Sequence, residues 1–202
     1  MQIAGKEVPI SWDFRTGILF EEALQDQQLD DLQKLQTALR LFYPGIVFSP
    51  DVVEEAVAQL IWFYRCGEDQ TSPAGDDTGS GDAEPPFSYE YDADFIYSAF
   101  LQAYGLDLAR TSLHWWQFRA LFRSLPGDTK LVEIIGYRTM KLPAKMDKEK
   151  RQHYERLKRI FALPQRADRQ QLESDLNNLL MNGGNPAALL DSEVRSWEQM
   201  EP

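Results

Sequence analysis

The sequence contains few of the side chains on which most catalytic and metal sites depend. Cys66 is the one cysteine, and the two histidines, His114 and His153, lie 39 residues apart. One cysteine excludes an intrachain disulfide and a cysteine zinc site, and the histidines lack metal-ligand spacing. The chain has no P-loop, no dinucleotide-binding glycine pattern and no nucleophile elbow. We therefore expect no catalytic residue, no metal site, no cofactor and no enzymatic activity.

Long apolar runs are also absent. No stretch approaches the roughly 20 apolar residues that a membrane-spanning helix needs. The first six residues, Met-Gln-Ile-Ala-Gly-Lys, lack the hydrophobic region of a signal peptide. A single cysteine suits a reducing compartment. The expectation is a cytosolic protein that does not contact a membrane.

Charge is distributed unevenly along the 202 residues, whose formal net charge is −11. Residues 1–110 carry −14, residues 111–169 carry +8, and residues 170–202 carry −5. The acidic total disfavours a general nucleic-acid binder. The asymmetry favours attraction to a charged partner or to another copy of the chain.

The aromatic residues concentrate in one stretch, residues 113–125, where Trp115 and Trp116 are adjacent. Trp115 begins an apolar stripe with helical steps of three, four and three, which predicts the central core helix. Trp116 lies about 100° away around the same helix and is the better candidate for a contact surface. The predicted core comprises Trp115, Phe118, Leu121, Phe122, Leu125, Phe95, Phe100 and Tyr104.

The remaining patterns predict a mainly α fold of about six to eight helices in one domain, preceded by a small β-hairpin near residues 2–11. Ser49, followed by Pro50, is predicted to cap the third helix. Asp92 is predicted to cap the start of the fourth and Gly105 its end. Thr111 or Ser112 is predicted to cap the central helix, and Asp147 the basic one. A basic helix at about 148–162 is expected to bury its apolar positions, Ile160 among them.

Two segments lack helical periodicity or show it weakly. Residues 68–90 carry seven acids and no base, a composition that predicts a mobile acidic loop. Beyond residue 165 the pattern weakens, with short helices expected at about 170–181 and 187–200. The predicted organisation is therefore a helical domain over 1–165, with the loop as an insertion, and a weakly ordered extension over 166–202.

The basic helix allows two interpretations. Residues 148–159 hold six bases and two acids, which permits nucleic-acid binding. Its apolar positions already face a core, and the flanking segments are acidic. We therefore favour a solvated or protein-contacting face, with a nucleic-acid-associated factor as the alternative.

Several motifs together resemble one bacteriophage family. Aspartates at a helix start (Asp92, Asp94) are followed by Tyr-x-x-Asp-Leu at 104–108 and by His-Trp-Trp-x-Phe at 114–118. Matches continue through Gly-Tyr-Arg at 136–138 and include the opening residues 3–16. Over about residues 2–165 the chain resembles the bacteriophage "gene product fifteen" family of tail-module proteins.

The resemblance implies a protein encoded with siphophage or prophage tails. It implies a tail-assembly chaperone that binds and solubilises the tape-measure protein in the host cytosol, without catalysis and as a homo-oligomer. A structural component of the tail or its connector is the alternative. No catalytic residue is carried over from the family.

Exposed basic residues near and after the tryptophan pair are the candidates for partner contact. Because Arg119 and Arg123 follow Trp116 by one and two helical turns, these three are expected on one face. The full set of candidate protein-binding residues is Trp116, Arg119, Arg123, Arg138, Arg151, Arg156 and Arg159.

Overall fold

A computed structural model describes residues 1–26, 28–68, 85–143 and 145–164. The chain divides into two compact units, Met1–Phe161 and Ala162–Pro202. The described elements, all in the first unit, are a two-stranded antiparallel hairpin and seven helices, which confirms the mainly α prediction with its hairpin. Their bounds are β1 Gln2–Ile3, β2 Lys6–Glu7, α1 Phe14–Gln25, α2 Asp31–Phe42, α3 Val53–Tyr64, α4 Ala93–Tyr104, α5 Trp115–Arg123, α6 Lys130–Thr139 and α7 Lys148–Ile160.

Several helix ends follow local sequence rules. Asp30 caps α2 in a capping box, in which Gln33 N donates to the Asp30 carboxylate and Asp30 N donates to the Gln33 side chain. The carboxylate of Asp147 accepts hydrogen bonds from the first backbone amides of α7. Gly105 ends α4 in the left-handed conformation, with φ of 65°. The predicted caps at Asp147 and Gly105 are confirmed.

Two other predicted caps are wrong, and a third lies at its predicted position without making a capping bond. Helix α3 begins later than Ser49, and its N-cap residue, Val52, contributes no side-chain hydrogen bond. The N-cap of α5 is His114, whose side chain accepts from Trp116 N, in place of Thr111 or Ser112. Asp92 occupies the N-cap position of α4 but makes no capping bond, because its carboxylate pairs with Arg138.

The core is built around α5. Trp115 and Phe118 have no exposed surface, and Phe118 stacks on Phe14 of α1 and on Phe100 of α4. Of the eight predicted core residues, Trp115, Phe118, Leu125 and Phe100 are buried, and Leu121, Phe122, Phe95 and Tyr104 are half-buried against the same cluster.

Helix α1 reaches the core helix through a glycine. A Cβ built at Gly17 would lie 2.7 Å from Cζ3 of Trp115 and closer still to two other atoms of the ring. Real Cβ atoms do not approach heavy atoms so closely. The absence of a side chain at Gly17 therefore allows the indole of Trp115 to lie against the backbone of α1.

Some predictions concern residues outside the described ranges. Most of the predicted loop, residues 69–84, and both predicted C-terminal helices lie there. Within the described part, no helix is both long and apolar enough to span a membrane. Helix α7 differs from its prediction at Ile160, which is 46% exposed because it lies about 120° around the helix from the half-buried Tyr154.

Candidate functional site: an aromatic groove between α3 and α5

Side chains of α5 donate hydrogen bonds to the last carbonyl groups of α3. The last carbonyl groups of a helix have no partner within it. Trp116 Nε1 donates to Phe63 O at 2.7 Å, and Trp115 Nε1 donates to Tyr64 O at 2.8 Å. Arg119 Nη1 also donates to Tyr64 O, at 3.2 Å, which places a cation at the negative end of the helix. Both adjacent indoles therefore hold α3 against α5.

The segment before α1 is fixed to the start of α5. Trp115 N donates to Trp12 O at 2.8 Å, and Phe14 N donates to Leu113 O at 2.9 Å. The hydroxyl of Ser112 donates to Asp13 Oδ2 at 2.9 Å. Although burial raises the pKa of Asp13, hydrogen bonds from Arg15 and Ser112 hold it below its ordinary value. Trp12 is consequently positioned by backbone bonds on both sides.

An open groove lies where these three segments meet. Its volume is about 610 Å³, within the roughly 300–1,000 Å³ of typical ligand pockets. Trp12 is 47% exposed and Trp62 is 40% exposed, and both contribute to the groove wall. Among the described residues, no Asp, Glu, Lys or Arg side chain lines it. The lining residues of this tryptophan groove are Met1, Ile10, Trp12, Trp62, Phe63, Ser112, His114, Trp116 and Gln117.

His114 joins the aromatic side chains of the groove. Its ring stacks on Trp12 at 6.0 Å and meets Phe63 and Trp116 edge-on at 5.4 and 5.6 Å. Its Nδ1 accepts from Trp116 N at 3.1 Å, so the bond requires Nδ1 to be unprotonated. Burial lowers the pKa of His114, and the ring is neutral at pH 7. The described side chains of the lining are therefore mainly aromatic and uncharged.

Comparison of the sequence with models of protein families gave a match. The family model described as "Bacteriophage Gp15 protein" matches residues 1–163. The chain belongs to this family. Comparisons with curated proteins and with solved structures gave no match. The match confirms the resemblance seen in the sequence and establishes a phage protein.

In this Gp15 family member, two of the basic contact candidates, Arg119 and Arg123, lie on α5. The guanidinium of Arg119 is half-buried over the rings of Tyr64 and Trp115, at 5.9 and 5.7 Å from their centroids. Since Arg119 also donates a hydrogen bond to the last carbonyl of α3, it stabilises the packing of α3 on α5. Arg123 is exposed on the next turn of α5.

The other candidates lie elsewhere on the family member. The Arg138 side chain is 7% exposed and forms an ion pair with the fully buried Asp92. Arg151 is half-buried, with Nη2 donating to Pro143 O at 2.8 Å. Arg156 and Arg159 are exposed on α7. The structure thus brings only Trp116, of the seven candidates, into the lining of the groove.

Sequence reasoning missed Trp12, Trp62 and His114 as members of one surface. A signal existed for Trp62, because it lies off the apolar stripe of α3 and is a large side chain at an exposed helical position. No local pattern indicates that Trp12 lies beside His114, since the two are about 100 residues apart and meet through the backbone bridge Asp13–His114.

The described residues offer no conventional chemistry at the groove. No group of three or more His, Cys, Asp or Glu side chains within those ranges could hold a metal ion. Burial raises the pKa of the nearby Cys66 thiol, which opposes thiolate formation. Burial and the neighbouring Glu21 likewise raise the pKa of Tyr64. The arrangement suits binding by apolar contact.

Stability should depend on pH through His114. The pKa of His114 is lowered in the folded protein, so the unfolded chain binds the proton first, near its ordinary value of about 6.5. The free energy of unfolding is then expected to fall as pH decreases from 7.5 through that value toward the folded pKa. Urea unfolding between pH 5.5 and 7.5 measures the effect.

Matched substitutions isolate this histidine. His114→Asn keeps a side-chain acceptor for the helix cap without a titrating ring, and the pH dependence should flatten. His153→Asn, at an exposed position of α7, should leave the wild-type profile unchanged. A profile that His114→Asn does not alter would contradict the assignment.

Proposed function

We propose that this phage protein is a tail-assembly chaperone that binds and solubilises the tape-measure protein in the host cytosol, without catalysis. The observation that carries the proposal is the tryptophan groove, whose open aromatic lining suits the apolar face of a partner helix. The net charge of −11 supports solubility of a complex with an aggregation-prone partner.

The partner chemistry follows from the lining. Trp12 and Trp62 present large apolar surface that is only partly covered in the isolated chain. Tryptophan is enriched among residues that dominate binding energy, because it buries a large rigid area. The residues that the structure describes place no charged side chain in the groove to select a charged ligand. Aliphatic or aromatic side chains projecting from a helix are its best-fitting occupants.

Substitutions in the groove wall test the proposal. Trp12→Ala and Trp62→Ala should each weaken binding of the cognate tape-measure protein by about thirty-fold, which corresponds to about 2 kcal/mol. Isothermal titration calorimetry on co-purified and separated proteins measures the affinity. Trp116 is a poor choice, because its indole also supports the end of α3.

The matched control is Leu32→Ala, which removes another large exposed side chain, 62% accessible, from outside the groove. It should bind normally. Absence of co-purification and of any gain in tape-measure solubility on co-expression would refute the proposal. Mass spectrometry of purified particles separates it from the structural alternative, since a chaperone should be depleted from finished tails.

A further inference from the structure

The tryptophan groove also contains polar groups that the fold leaves unpaired. Among the described residues, the indole N–H groups of Trp12 and Trp62 have no hydrogen-bond partner, and neither has the side-chain amide of Gln117. The indoles of Trp115 and Trp116, by contrast, both donate to α3. A polar group that loses its water on binding costs free energy unless the partner supplies a new hydrogen bond. These groups therefore select the occupant of the groove together with the aromatic rings.

His114 supplies a further donor. Its Nδ1 accepts from Trp116 N at 3.1 Å, so the hydrogen of the neutral ring lies on Nε2. Within the described ranges, Nε2 has no hydrogen-bond partner, and half-buried residues such as His114 leave no buried side-chain nitrogen or oxygen unpaired. The Nε2–H group is therefore accessible to solvent, in a residue of the groove lining.

Two side-chain acceptors belong to the same lining. The hydroxyl of Ser112 donates its hydrogen to Asp13 Oδ2, which leaves Ser112 Oγ as an acceptor. Gln117 Oε1 is the second acceptor. Ser112 and His114 flank the buried Leu113, and Gln117 follows His114 by three residues, about one helical turn. Donors and acceptors are thus combined in one short segment at the start of α5.

This combination fits a neutral amide better than a charged group. A carboxylate only accepts hydrogen bonds and an ammonium group only donates them, whereas a primary amide does both. The described residues contribute no charged side chain to the lining, and the amino group of Met1 donates to Val8 O at 2.8 Å. A charge that is buried without an opposite charge is costly. The lining therefore disfavours a carboxylate or an ammonium group and matches an amide.

We propose that the tryptophan groove recognises an asparagine or glutamine side chain set among the apolar residues of a partner helix. The proposal rests on the chaperone function proposed above, and it adds a rule for which segment of the tape-measure protein binds. Apolar residues one turn before and after the amide cover the rings of Trp12 and Trp62. The amide itself meets Ser112, His114 and Gln117.

A set of four helical peptides tests the proposal on the full chain. Each peptide has about 20 residues, with leucine at i, i+3 and i+7 and a guest residue at i+4. The guests are glutamine, leucine, glutamate and lysine, whose helix propensities are similar. Fluorescence anisotropy of the labelled peptides at about 0.15 M ionic strength measures the affinities. The glutamine peptide should bind about ten-fold more tightly than each of the others, which corresponds to about 1.4 kcal/mol.

Substitutions at Gln117 locate the guest residue. Because Gln117 is exposed on α5, its replacement should leave the fold intact, which far-UV circular dichroism checks. Gln117→Leu should abolish the preference for the glutamine peptide, and Gln117→Glu should transfer the preference to the lysine peptide. The matched control is Gln102→Leu, which removes an exposed amide from α4 and should bind all four peptides like wild type.

Several results would overturn the amide preference. They are equal affinities for the glutamine and leucine peptides, tighter binding of the glutamate peptide, binding of none of the four, and a preference that Gln117→Leu does not alter. The chaperone function is scored separately, by co-purification of the tape-measure protein with the wild-type chain. Failure of the one proposal is therefore distinguishable from failure of the other.

Discussion

Replacing Arg138 by methionine is expected to lower the free energy of unfolding by about 3–5 kcal/mol. Nη1 and Nη2 of Arg138 donate to the two carboxylate oxygens of Asp92 at 2.6 and 2.8 Å, and Asp92 has no exposed surface. The same guanidinium donates to Phe161 O and Pro86 O. Methionine would leave a buried carboxylate without its cation and three chain segments without their common donor. Urea unfolding measures the loss.

Two further variants distinguish burial from charge. The double variant Asp92→Leu/Arg138→Met should lose less stability than Arg138→Met alone, because it leaves no unpaired buried charge. Arg110→Met removes the cation of an exposed pair, whose arginine is 88% accessible, and should change stability by about 0–1 kcal/mol. A loss in Arg138→Met no larger than that in Arg110→Met would contradict the role assigned to the buried pair.

The contact between Gly17 and Trp115 should reverse the usual effect of a glycine-to-alanine substitution. Within a helix this change ordinarily stabilises by about 0.5–1 kcal/mol. At Gly17 the new methyl group would overlap the indole of Trp115, which is fully buried and cannot move aside. Gly17→Ala should therefore destabilise by about 1–3 kcal/mol, and Trp115→Ala by about 3–5 kcal/mol. Thermal and urea unfolding check both values.

The chain contains a matched control for this prediction. A Cβ at Gly136, within α6, would meet no heavy atom within 4 Å, so Gly136→Ala should stabilise by the ordinary amount. In a Trp115→Phe background the smaller ring should relieve most of the penalty of Gly17→Ala, which a double-mutant cycle would show as coupling. Equal effects of Gly17→Ala and Gly136→Ala would disprove the close approach.

Local rules predicted much of the fold because they depend on neighbouring residues. Asp147 lies next to the amides that it caps, and Gly105 directly follows the helix that it ends. The rules failed where a distant group competes for the same side chain. Asp92 sits at a helix start, as expected, but Arg138 lies 46 residues further on and binds both carboxylate oxygens. Nothing near Asp92 in the sequence reveals that competition.

The candidate site was less accessible to sequence reasoning than the fold. The apolar stripe identified Trp115 as core, whereas Trp116, predicted to lie off that stripe, is half-buried beside it. The groove, however, depends on Trp12, Trp62 and His114, which come from three segments joined by backbone and indole hydrogen bonds. Periodicity describes one helix at a time, so it cannot predict which exposed residues of different segments face each other.

The two indole bonds between α5 and α3 also bear on how the protein is made. The carbonyls of Phe63 and Tyr64 acquire their indole donors only when Trp116 and Trp115, more than 50 residues later, have left the ribosome. Synthesis at about 5–20 residues per second leaves the first three helices without that partner for several seconds. During those seconds Trp62 and Phe63 lack the ring contacts that Trp116 makes with them in the folded protein.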